Sequence, residues 1–194
     1  MPVSRRGNHL EFAGPARAAL TVLLFVSAWT GAPRSSEAAP PYAGRTPAEK
    51  LTASDTENLD QFGQSVALSG NLAIVGAPFE DGDGGDNRGA AYVFDLTTGD
   101  ELFKLTASDT EDSDFFGNSV ALSGNLAIVG AYLEDGDGGD NRGAAYVYDL
   151  TTGNELFKLT AFDTEDLDQF GQSVTLSGNL AIVGAYLEGC LLYT

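Results

Sequence analysis

Beyond residue 50 the chain alternates short apolar runs with polar, glycine-containing connections, and the runs have strand length rather than helix length. Phe62–Leu68 alternates larger side chains (Phe62, Val66, Leu68) with small ones (Gly63, Ser65, Ala67), the two-residue period of a strand. Ser69-Gly70-Asn71 supplies a tight turn. Leu72–Ala77 is apolar throughout, as a strand buried on both faces requires. The acidic glycine stretch Glu80–Gly89 predicts a loop, and Ala90–Leu96, with Tyr92 and Phe94 on one face, predicts a third strand. Thr97-Thr98-Gly99-Asp100 turns the chain into a fourth strand, Glu101–Ala107, whose Glu101 and Lys104 mark a wetter edge.

This pattern recurs every 54 residues. Leu51-Thr-Ala-Ser returns as Leu105-Thr-Ala-Ser and as Leu159-Thr-Ala-Phe, and Lys50–Phe103 differs from Lys104–Phe157 at only eight positions. A repeat of four short strands, small and apolar inside and charged outside, predicts propeller blades packed face to face. The fold class is all-β: an incomplete β-propeller of four-stranded antiparallel blades, with about two full blades and part of a third. Blade 1 is expected at 61–107, blade 2 at 115–161 and a partial blade 3 at 169–188. Lys50-Leu51-Thr52-Ala53 matches a fourth strand without three strands before it, so 50–54 is a candidate closing strand for a ring. After Glu188 the repeat predicts Asp-Gly-Asp-Gly-Gly-Asp-Asn-Arg, but the chain reads Gly189-Cys190-Leu191-Leu192-Tyr193-Thr194; residues 189–194 read as a foreign tail on a truncated frame.

The first 49 residues follow other rules. Arg5, Arg6 and Arg17 precede the apolar run Ala18–Ala28, and Ser36-Glu37-Ala38 offers a small-residue cleavage site. Residues 1–38 therefore read as a secretory signal peptide, with an uncleaved anchor as the alternative. The proline-bearing segment 39–49 reads as a linker. This predicts a secreted, extracellular or cell-surface protein whose mature part does not insert in a membrane.

Composition then removes several chemistries. The single His, Cys, Met and Trp of the chain all lie outside residues 39–189. A nucleophile–imidazole site and a zinc, haem or iron–sulfur centre therefore lack their residues, and one Cys makes no disulfide framework. The formal net charge is −18. Four of the ten basic residues precede residue 39, so the repeats are more acidic still, which excludes nucleic acid as a partner.

Phe62-Gly63 followed by Gly76-Ala77-Pro78 resembles the FG-GAP repeat, which forms the seven-bladed propeller of integrin α-subunits and of many bacterial secreted proteins. Phe116-Gly117 with Gly130-Ala131, and Phe170-Gly171 with Gly184-Ala185, repeat the pattern, with Tyr132 and Tyr186 in place of the Pro. Leu-Thr-Ala-Ser-Asp and Ala-Ala-Tyr-Val-Phe resemble the bacterial extracellular branch. The resemblance implies an extracellular binding or adhesion scaffold and no particular reaction.

Many FG-GAP repeats carry a calcium loop between the two motifs. Here that connection is Ser69-Gly70-Asn71, too short and without a carboxylate. The richer loop is Glu80–Asn87, repeated at Glu134–Asn141, and its Asp81, Asp83, Asp86, Asp135, Asp137 and Asp140 are the candidate calcium ligands. The fit is partial: counting from Asp81, position five is Gly85, position six is Asp86, and no bidentate Glu follows. The alternative is a solvated acidic turn with Arg88 as counter-charge. In the second acidic connection, Asp55–Asp60, the two Asp residues suit turn capping. Glycines 63, 76 and 89 suit close packing or unusual backbone angles, and Tyr92 and Tyr146 suit blade–blade packing. No paired-carboxylate pocket is indicated. No catalytic residue and no cofactor other than calcium is expected. The predicted function is a non-catalytic extracellular binding or adhesion module for a protein or glycan; the alternatives are the propeller portion of a larger extracellular enzyme or receptor, or a purely structural repeat domain.

Overall fold

The structure, a computed structural model, describes residues 50–55, 57, 59–82, 85–135, 140–163, 165–186 and, for the backbone, 192–193. The segments read as signal peptide and linker, 1–38 and 39–49, lie outside the described residues. The chain divides into units Met1–Lys50 and Leu51–Thr194, and the second holds every strand described below.

All regular structure among the described residues is β. Blade 1 contains β1 (Ser65–Ser69), β2 (Leu72–Ala77), β3 (Ala90–Asp95) and β4 (Glu101–Leu105), an antiparallel meander in sequence order. Blade 2 repeats it with β5 (Ser119–Ser123), β6 (Leu126–Ala131), β7 (Ala144–Asp149) and β8 (Asn154–Leu159). Blade 3 consists of β9 (Phe170–Ser177), β10 (Leu180–Ala185) and the two-residue β11 (Leu192–Tyr193). Among the described residues the sheets are not closed into a ring.

Register is the same in both full blades. Val75 faces Tyr92 across β2–β3, and Val129 faces Tyr146 across β6–β7. Tyr193 faces Val183 in β10, so the backbone at Leu192–Tyr193 takes the register of Ala145–Tyr146. The remainder of 189–194 lies outside the described residues. Leu51–Ala53 forms no strand; Leu51 and Ala53 instead pack against Tyr92 and Phe94 on the outer half of blade 1.

Strand two needs no polar face because both of its faces are covered. Ile74 joins Val93 and Leu105 toward blade 2, while Val75 and Ala73 join Tyr92 and Phe94 on the other face. The largest core lies at the first junction, where Val120, Leu122, Val129, Tyr146 and Tyr148 meet Ile74, Val93 and Leu105. A second junction places Ile128 and Val147 against Val183, with Val174 and Leu176 at its margin.

In blades 1 and 2 strand one starts later than the sequence pattern predicts, whereas in blade 3 β9 starts at Phe170, as the pattern has it. The alternation starts at Phe62, but the first ladder residue is Ser65. Gly63 has φ 97° and its N–H donates to the Gly76 carbonyl at 3.0 Å, so Phe62-Gly63 forms a turn that closes onto the end of β2. Only glycine adopts that backbone region at little cost.

Candidate functional site

The Phe-Gly and Gly-Ala motifs meet across each blade junction. A Cβ on Gly76 would lie 1.9 Å from the Gly117 carbonyl oxygen, and one on Gly130 would lie 2.0 Å from that of Gly171. The absent side chains let two backbones touch. Ser65 Oγ then donates to the Gly117 carbonyl at 2.7 Å, and Ser119 Oγ to that of Gly171 at 2.7 Å. At the opposite end of the strand, the Gly124 N–H donates to Ser69 Oγ at 3.0 Å and the Gly178 N–H to Ser123 Oγ at 2.8 Å. The expectation that these glycines serve packing and backbone geometry holds, as does burial of Tyr92 and Tyr146.

A repeated charge cluster ties each inter-blade connection to the blade that follows. Lys104 Nζ reaches Asp55 at 2.6 Å and Glu80 at 2.9 Å, and the Tyr92 hydroxyl donates to Asp55 at 2.8 Å. Lys158, Asp109, Glu134 and Tyr146 repeat it with distances of 2.6, 2.7 and 2.8 Å. Burial pushes Asp55 up, but the Lys104 and Tyr92 hydrogen bonds outweigh it and hold the carboxyl below its ordinary value. Burial likewise opposes the charge on Lys104, and Asp55 with Glu80 raise it above the usual lysine range. Burial, then the Asp55 hydrogen bond, pushes the Tyr92 hydroxyl far up, so it serves as a fixed donor.

Asp55 therefore does not act simply as a turn cap: it is the acceptor of an ion pair that ties its connection to blade 1. Asp60 does cap, taking the Glu57 N–H at 2.6 Å. Glu80 and Glu134, each under a tenth exposed, were not singled out from sequence. The available signal was the Lys that recurs 24 positions after each of them.

The acidic loops dock on the next connection. Arg88 Nε pairs with Asp112 at 2.9 Å, the Asp86 N–H donates to the same carboxylate at 3.3 Å, and the Ser113 N–H donates to the Asp86 carbonyl at 2.8 Å. Arg88 thus pairs with a carboxylate of the following repeat. Arg142 and Asp166 form the equivalent pair at 3.2 Å.

Asp81 Oδ1 accepts the Asn87 N–H at 3.1 Å, and Asp135 Oδ1 accepts the Asn141 N–H at 2.9 Å. Asp86 and Asp140 are exposed. Asp83 and Asp137 lie outside the described residues. Among the described residues no group of three or more His, Cys, Asp or Glu side chains is placed to hold a metal ion.

At the same end of the blades lies an aromatic row. The Phe79 and Phe115 rings are 4.9 Å apart at 76°, and the Phe115 and Tyr132 rings 5.9 Å apart. All three are half-buried. Phe115 has φ 54°, the left-handed region, as do Gln61 and Gln169 at the same repeat position. The fold imposes that backbone in every blade, at about 1 kcal/mol or more for a non-glycine residue. Only blade 2 puts an aromatic ring on it. Leu59, before blade 1, and Tyr186, at the position of Tyr132 in blade 3, are 87% and 73% exposed.

A separate groove of about 570 Å³ separates blade 2 from blade 3, lined by Val147, Leu156, Phe157, Phe170, Leu176 and Leu180 among others. Its counterpart one repeat earlier is filled by Tyr146, Tyr148 and Leu150. Hydrophobic burial at that position therefore belongs to the blade architecture.

The FG-GAP repeat family profile matches residues 46–94, 100–148 and 154–190. The second and third matched units begin with the fourth strand of one blade and run on into the next, so sequence repeat and structural blade are one strand out of phase. No curated protein matches the chain. With most of its length covered by three family repeats whose Phe-Gly and Gly-Ala motifs form the blade junctions, the chain belongs to the FG-GAP repeat family.

Proposed function

We propose that this protein is a secreted, non-catalytic binding or adhesion module that uses the aromatic end of its blades to hold an extracellular protein or glycan. FG-GAP repeats form β-propeller-type modules that are generally non-catalytic and typical of extracellular or cell-surface proteins. Among the described residues no helix is long and apolar enough to cross a membrane.

The observation that carries the reading is where near-identical repeats diverge. Six of the eight differences between the first two repeats fall before strand one or after strand two: positions 58, 59, 61, 64, 78 and 79 against 112, 113, 115, 118, 132 and 133. Both segments lie at one end of the blade, because β1 and β2 are joined at the other end. The divergence brings together Phe79, Phe115 and Tyr132 on that end, beside the Arg88–Asp112 pair. Loops on one face of a repeat scaffold are where binding residues change without disturbing the core. Aromatic rings next to carboxylates suit both sugar faces and basic peptide segments.

The test replaces two residues by those the first repeat carries at the same places: Phe115→Gln with Tyr132→Pro. Wild type and variant are screened by biolayer interferometry against immobilised polysaccharides and extracellular matrix proteins. The expected result is a wild-type binder whose affinity falls at least tenfold in the variant, with an unchanged melting temperature. Equal binding by both proteins, or no binder for the wild type, overturns the reading.

A further inference from the structure

The cations at the aromatic end of the blades are already engaged. After Lys50 the basic residues of the chain are Arg88, Lys104, Arg142 and Lys158, and each is held in an ion pair with carboxylates of the connections at that end. Acids remain in excess around the ring row. Asp86, Glu111, Asp135 and Asp140 are exposed, and no Lys or Arg among the described residues pairs with them.

Backbone bonds fix the rings among these acids. The Ser113 and Phe115 N–H groups donate to the Asp86 and Asn87 carbonyls at 2.8 and 3.2 Å, so Phe115 stands beside the acidic loop of blade 1. The Phe79 N–H donates to the Asp60 carbonyl at 3.2 Å, which ties that ring to the connection before blade 1. Tyr132 shortly precedes the exposed Asp135. The row spans the covered junction between blades 1 and 2: Phe116, next to Phe115, is fully buried in the core that joins them.

The chain uses rings, carboxylates and cations together inside each blade. Lys104 Nζ lies 5.8 Å from the centroid of the Tyr92 ring while it binds Asp55 and Glu80, and Lys158 repeats this over Tyr146 at 5.7 Å. The ring quadrupole and the carboxylate charge attract the same ion. Resting on the binding reading above, we propose that the aromatic end holds an arginine-rich segment of an extracellular protein rather than a glycan. Guanidinium planes stack on the rings and pair with the carboxylates around them. Arginine suits the site better than lysine because its planar head stacks on a ring and forks onto a carboxylate. A neutral sugar would answer the rings and leave the acids unanswered, and a sulfated or uronic polysaccharide would be repelled.

The probe is a fluorescein-labelled Arg-Gly-Ser repeat peptide, compared with Gln-Gly-Ser and Glu-Gly-Ser repeats of the same length by fluorescence anisotropy on the full chain. The arginine peptide is expected to bind about tenfold more tightly than the glutamine peptide and to weaken as salt rises, and the glutamate peptide is expected not to bind. Phe115→Gln with Tyr132→Pro is expected to weaken the arginine peptide about tenfold. Asp86→Asn with Glu111→Gln is expected to weaken it as well, with circular dichroism and melting temperature unchanged in both variants. The ring variant leaves the charge of the protein in place, so it separates a site from the general attraction of an acidic chain. Equal binding of the arginine and glutamine peptides, or arginine binding that the ring variant leaves intact, overturns the proposal. A neutral polysaccharide that binds the wild type and is lost in the ring variant, without arginine-peptide binding, overturns the proposal and leaves the binding reading standing.

Discussion

Asp55, Glu80, Tyr92 and Lys104 act as a unit because each answers a cost incurred by another. A carboxylate below a tenth exposed would be unfavourable alone; Lys104 pairs with both acids, offsetting one of their two charges, and the Tyr92 hydroxyl satisfies a further lone pair. Among the described residues Asp114 has no such cation. It is 2% exposed, and it accepts the Glu111 N–H at 2.6 Å. Burial first, then the charges of Glu134, Glu111 and Asp135, push its carboxyl up to about 7 from an ordinary value of 3.8. The unfolded chain ionises this group near its ordinary value while the folded chain resists until about 7, so its contribution to stability falls as pH rises across that window and is level above it. Asp114→Asn keeps an acceptor for the Glu111 N–H and removes the titration. Melting curves should therefore show the wild type losing stability relative to the variant between about pH 4 and about pH 7. Parallel curves across that range would show that Asp114 is not the responsible group. Asp55 and Asp109 run the other way: their lowered values contribute stability that is lost as pH falls below the ordinary carboxylate range.

The strand is the scale at which sequence says most about this molecule and also where it stops. Leu72–Ala77 was readable to the residue because a six-residue apolar run between turns has few other solutions. The third strand was readable nearly as well, from paired aromatics in alternation. The late start of strand one was not, because the Gly63 turn is set by the end of β2 rather than by local pattern. Nor was the pairing of Arg88 with Asp112, which joins residues a half-repeat apart across two connections. Burial is the clearest case of information absent from local sequence. Ser-Val-Ala-Leu-Ser occurs identically in β1 and β5, yet Leu68 is 70% exposed and Leu122 only 8%. What differs is whether another blade stands in front. Leu122→Ala should cost about 2–3 kcal/mol, from lost burial and an imperfectly collapsed cavity. Leu68→Ala should cost under about 0.5 kcal/mol. Urea unfolding makes the comparison. Equal costs would mean that this face of blade 1 is covered as well.

At the scale of the molecule the charge of −18 is a property of the connections, since the inner strands carry almost none of it. The cross-repeat pairs formed by Arg88, Lys104, Arg142 and Lys158 tie some carboxylates down, yet several partners are well exposed, as Asp112 and Asp166 are. Such surface pairs contribute little to stability, because water and salt screen them. Repulsion among the remaining acids acts between repeats and is screened by salt over about 10 Å. Raising sodium chloride should therefore raise the melting temperature, because screening relieves more repulsion than it removes attraction; a fall would show that the ion pairs dominate. The same experiment separates field from ligation. Calcium chloride at matched ionic strength acts on the field in every variant, whereas a bound calcium ion stabilises only the protein that keeps its ligands. With Asp81 Oδ1 already engaged by the Asn87 N–H, the expected result is an equal response in the wild type and in Asp81→Ala with Asp83→Ala. A calcium-specific increase that this double variant abolishes would instead establish the Glu80–Asn87 loop as a metal site.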